Sequence, residues 1–100
     1  MSRPQCDCAE LASRYAEGLE AVLGLLRGIG RGGLPREAIG VLEQAESYLK
    51  DSRFYLSKGR GAVALASVAY AEGLLDALRL LGLVDFEWPR TGPSARGQPY

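Results

Sequence analysis

Between Asp7 and Arg27 the apolar residues Leu11, Tyr15, Leu19, Val22 and Leu26 recur every three or four places. That spacing keeps one side of a 3.6-residue helix apolar, so an amphipathic helix is predicted there. Asp7, with Glu10 three residues later, has the form of a capping box and sets its start. The glycines of "GIGRGGLP" end it, because each is worth roughly 1 kcal/mol less than alanine inside a helix. Pro35 suits the first turn of a second helix, where its missing N–H costs nothing. From there Ala38, Leu42, Ala45, Leu49, Ser52 and Leu56 alternate steps of four and three, a heptad seam with small residues that admit a close neighbour. Glu46 and Lys50 are spaced to support its outer face. Gly59, in "SKGRG", is placed as the left-handed residue that closes this helix.

The third segment, 62–81, is the most apolar. Ala62, Ala66, Ala69, Gly73 and Ala77 fall on one narrow strip of a helical wheel, with Val63, Leu74, Leu78 and Leu81 on a bulkier strip beside it. Glu72, Asp76 and Arg79 form a polar stripe along the last half only. A helix apolar over most of its circumference is covered on more than one side, so it is expected at the centre of a bundle or against another chain. The small strip, above all Ala66, Ala69, Gly73 and Ala77, is expected to meet a facing helix closely. No sustained period-two alternation marks a strand. The predicted fold is all-α, an antiparallel up-down-up three-helix bundle over 7–84. An N-terminal arm spans 1–6 and a C-terminal tail 85–100, flexible from about 90, with Phe86 and Trp88 expected to fold back as a lid.

Composition narrows the function. The chain has 100 residues, 47% hydrophobic and 24% charged, enough for one core. Twelve basic residues balance twelve acidic ones, which argues against a protein devoted to coating nucleic acid or a membrane surface. Histidine is absent, and with it the commonest general base and metal ligand. Cys6 and Cys8 lie one residue apart without further Cys or His to complete a zinc site. No cofactor or metal is expected. The start "MSRPQ" has no apolar run, and no stretch reads as the ~20 apolar residues of a membrane span, so a cytoplasmic protein with no membrane partner is expected.

Three groups of side chains carry the candidate chemistry. Tyr48, Asp51, Tyr70 and Asp76 are expected to form a structural polar cluster, with Asp76 in reach of Tyr70, Arg53 or Arg79. As a magnesium site, Asp51, Glu72 and Asp76 would depart from the Glu-x-x-His pairs that helical bundles use, so no catalytic residue is assigned. Lys50, Arg53, Lys58 and Arg60 surround the second turn as an anion or partner patch. Gly59 and Gly61 there would admit a phosphate to the start of the third helix. "KGRG" alone is too short to be a phosphate loop.

The stretch "AESYLKDSRFYLSKGRGAVALASVAYAEGLLDALRLLGL", residues 45–83, resembles the archaeal domain-of-unknown-function family 357. The resemblance rests on Ala45, Tyr48, Asp51, Phe54, Tyr55, Leu56, Lys58, Gly59, Ala64, Tyr70, Ala71, Gly73, Leu74, Leu75 and Asp76. Where the family commonly has an acid after Lys-Gly this chain has Arg60, so a capping role for that acid does not carry over. The resemblance implies a short helical protein without an assigned activity, and it carries over no catalytic residues. Expected, then, is a non-catalytic helical interaction module with a protein partner or self-association, nucleic-acid or nucleotide binding at the basic turn being the alternative.

Overall fold

The computed structural model describes residues 7–89; the 1–6 arm, with Cys6, and the tail from 90 lie outside them. Three helices follow in order, α1 (Cys8–Ile29), α2 (Arg36–Ser57) and α3 (Gly61–Leu80), with a short 3-10 turn at Arg31–Gly33. Among the described residues there is no strand.

The helix ends obey local chemistry. The Asp7 carboxylate accepts a hydrogen bond from the Glu10 backbone N–H at 3.2 Å, satisfying one of the N–H groups that a helix start leaves open. α1 continues two residues beyond the predicted Arg27 and stops at Gly30, whose φ is +85°. Pro35 precedes α2 rather than opening it; its carbonyl accepts from the N–H groups of Ala38 and Ile39. At the end of α2 the Gly59 N–H donates to the Leu56 carbonyl and the Arg60 N–H to the Tyr55 carbonyl, with Gly59 at φ +72°. This is the two-bond left-handed closure expected of "SKGRG". Gly82, at φ +77°, closes α3 in the same way through Leu83 and Leu78.

The α2 seam is buried at Ala38, Leu42, Ala45, Leu49 and Ser52, with Leu56 partly buried. Leu19, Leu23, Leu26, Val68 and Leu75 fill the centre. The Ser52 hydroxyl, fully buried, donates to the Ala64 carbonyl at 2.8 Å and ties α2 to α3 where two small residues bring the backbones together. Arg27 of α1 reaches Glu46 of α2, and Arg53 of α2 reaches Glu20 of α1 at 2.6 Å. Glu46 therefore serves the α1 contact, not only the outer face of its own helix. As one helix of each pair ascends in number the other descends, in these ion pairs and in the Ser52–Ala64 and Tyr48–Tyr70 contacts, which is compatible with an up-down-up course.

α3 is rotated relative to the wheel-based expectation. Its buried positions are Ala64, Val68, Ala71, Glu72, Leu75 and Leu78, whereas Ala62, Ala66, Gly73 and Ala77 are exposed and Ala69 is partly buried. A side chain built at Gly73 meets nothing within 4 Å. The close contact expected of the small strip is therefore not made inside this chain. Burying Val68, Leu75 and Leu78 takes their apolar surface out of water, and the face left outside keeps Tyr70, Leu80 and Leu81 beside the small residues. The close approach falls elsewhere: a Cβ at Gly61 would stand 2.7 Å from the Ala9 backbone nitrogen. By length and composition Gly61–Leu80 is also apolar enough to cross a membrane, contrary to the sequence reading, though core helices pass the same criterion.

Candidate functional site

The expected polar cluster divides. Tyr48 and Tyr70 do meet, ring edge to ring face, with centroids 4.6 Å apart. Asp51 is exposed on α2. Asp76 is engaged further along the chain: its Oδ1 accepts from Arg79 Nε at 3.0 Å and from the indole N–H of Trp88 at 3.0 Å. Of the partners expected for Asp76, Arg79 is used. Trp88 is the addition, delivered because Val84 and Phe86 are buried and Phe86 packs edge-on against Trp88 at 4.9 Å. The aromatic pair thus folds back onto the bundle, as expected of a lid, and Pro89 comes to 3.9 Å of a Cβ built at Gly18 on α1. Glu72, one turn before Asp76, is only 3% exposed. Sequence reasoning gave it no place in the core. Among the described residues no group of three carboxylates or cysteines converges as a metal site would require.

This division yields a differential prediction. Asp76→Asn weakens two charge-assisted bonds at a partly buried site and should cost about 1 kcal/mol. Asp51→Asn should stay within about 0.5 kcal/mol of the parent. Thermal unfolding of both variants checks it, and equal losses would show that the carboxylates share one environment.

The basic turn also disperses. Arg53 is committed to Glu20. Lys58 stands over the Phe54 ring at 5.4 Å and Arg60 over the Tyr55 ring at 5.5 Å. Lys50 is exposed. The space at Gly61, read from the sequence as room for a phosphate, is taken by the Ala9 backbone. Lys58 and Arg60 remain as an exposed basic end beside the start of α3.

What the rotation of α3 leaves on the outside is a continuous apolar face. Ala62, Ala66, Tyr70, Gly73, Ala77, Leu80 and Leu81 are exposed, Tyr70 by 54% and both leucines by 72%. They recur every three or four residues along the helix and include no charge. Exposed Phe54 on α2 stands among the charged Lys50, Asp51 and Lys58, whereas exposed Leu25 and Ile29 on α1 share a shorter uncharged patch with Ala21, Gly24 and Gly28. The chain is thus an all-α, three-helix protein that leaves an apolar face of α3 exposed and has no metal-holding group among its described residues. It belongs to the family described as "Protein of unknown function (DUF357)", whose model matches residues 14–84 and so takes in most of α1 as well as the stretch that carries the resemblance. No curated protein and no solved structure matches the chain.

Proposed function

We propose that this chain is a non-catalytic helical interaction module, an antiparallel up-down-up bundle that works in the cytoplasm and presents the outer face of α3 to a protein partner. One observation carries the reading: an uncharged apolar strip runs the length of α3 while Val68, Leu75 and Leu78 of the same helix are already buried. Scattered apolar residues are normal on a protein surface, but a contiguous strip marks a contact surface. Tyr70 supplies the aromatic element that such surfaces favour. The tail aromatics are not the contact surface, since Phe86 is buried and Trp88 is engaged with Asp76.

A benzophenone side chain placed at Ala66 tests the reading. Irradiated in the cells that make the protein, it should give a protein adduct, and the same probe at Lys50 on α2 should give none. Adducts of equal yield from both positions, or from neither, would sink it.

A further inference from the structure

We infer that the partner on the α3 face is a second copy of this chain, packed antiparallel about a two-fold axis at the level of residues 71–72; this rests on the interaction reading above. Antiparallel packing about that level sets opposite each other the residues equidistant from it. Tyr70 then faces Gly73, Leu81 faces Ala62, Leu80 faces Val63, and Ala66 faces Ala77. At the first two of these a large side chain meets a small one, and each pairing occurs twice, as a two-fold interface requires. Gly73 acquires a reason it lacks within the monomer: its Cβ position is open, and an exposed helix interior would favour alanine. Gly24, Gly28 and Gly40 are open as well; Gly40 sits among charges, and Gly24 and Gly28 flank Leu25 and Ile29 on a short uncharged end of α1, while the α3 strip runs the length of its helix.

The ends of the face agree in charge. Lys58 and Arg60 are exposed where α3 begins, and Asp85 and Glu87 are exposed on the segment that leaves its other end. Val84 and Phe86 are buried between and beside those acids, which turns both carboxylates outward. Antiparallel pairing lays the basic end of one copy over the acidic end of the other, twice. Parallel pairing would set like charges together.

Area sets the strength. A helix face ~30 Å long and one helix wide buries on the order of 450 Å² per copy. The total, about 900 Å², lies below the ~1,200–2,000 Å² of stable complexes. The dimer is accordingly weak, with a dissociation constant on the order of 10–100 µM.

Sedimentation velocity of the full chain from about 1 µM to about 1 mM tests this. The parent should shift from monomer to dimer across the series. Ala66→Arg and Gly73→Leu, both on the exposed face, should stay folded by circular dichroism yet weaken the dimer by about tenfold or more. Lys58→Glu with Arg60→Glu should abolish it in one chain, and Asp85→Lys with Glu87→Lys in another. An equimolar mixture of those two chains should restore it, because each altered end then meets its opposite. A parent that is monomeric throughout overturns the proposal, as does a dimer indifferent to Ala66→Arg. Flotation with neutral phosphatidylcholine vesicles that Ala66→Arg prevents would assign the face to lipid and overturn it too. A monomeric parent that still forms Ala66 adducts with a different polypeptide would leave the interaction reading standing and remove only the self-pairing.

Discussion

Leu75→Ala should destabilise the fold by about 2–5 kcal/mol, whereas Gly73→Leu, two residues earlier on the same helix, should leave the monomer as stable as the parent or slightly more so. Leu75 is fully buried among the residues of the central cluster. Truncation there removes apolar contacts and leaves a cavity that rigid helices fill only in part. Gly73 has open space at its Cβ and an ordinary helical backbone. A leucine there leaves the helix into that open space and recovers up to about 1 kcal/mol of helix propensity. The sequence alone supports the opposite ranking, because a glycine on a strip of alanines reads as a tight helix crossing. Urea denaturation below the dimer's dissociation constant gives both values. A Gly73→Leu loss as large as that of Leu75→Ala would mean that the glycine strip is covered in the monomer.

The reversal shows where the sequence is informative and where it is not. Helix extents, the α2 seam and the left-handed Gly59 are legible because they follow from spacing and local backbone geometry, which need no knowledge of neighbours. The rotation of α3 is not local. Two faces of that helix are apolar, and the choice depends on how much area α1, α2 and the returning segment can cover. Glu72, read from the sequence as part of a polar stripe with Asp76 and Arg79, is misplaced for the same reason: hydropathy sends a glutamate outward, while the side that carries Leu75 and Leu78 takes Glu72 inward with it. The partner of Asp76 illustrates a third limit. Arg79 lies three residues away and could be named, but Trp88 arrives only because the chain doubles back after Gly82. For the basic residues, proximity in sequence was misleading. Four cations within eleven positions look like a patch, yet α1 claims Arg53 and two aromatic rings hold Lys58 and Arg60.

Gly61→Val should cost about 2–3 kcal/mol, although valine is an ordinary residue for a helix start. A Cβ at this position lies 2.7 Å from the Ala9 nitrogen, 3.0 Å from its Cα and 3.1 Å from its Cβ. Two of those atoms are backbone, so no rotamer change relieves the contact; α1 or α3 must shift along its length. Each branch of valine adds to the overlap, and the propensity recovered at a first helical position does not offset it. Gly61→Ala should fall between valine and the parent, since it brings the Cβ clash without the branches. Gly59→Ala gives a useful contrast, because it strains a φ of +72° but touches no neighbour; its cost should come from backbone conformation alone, at about 1 kcal/mol. Pairing each change with Ala9→Gly separates the two mechanisms. Removing the Ala9 methyl should rescue part of the Gly61→Val loss and none of the Gly59→Ala loss. Additive behaviour at both glycines would show that the beginnings of α1 and α3 do not touch, and that the room beside Lys58 and Arg60 is open to an anion after all.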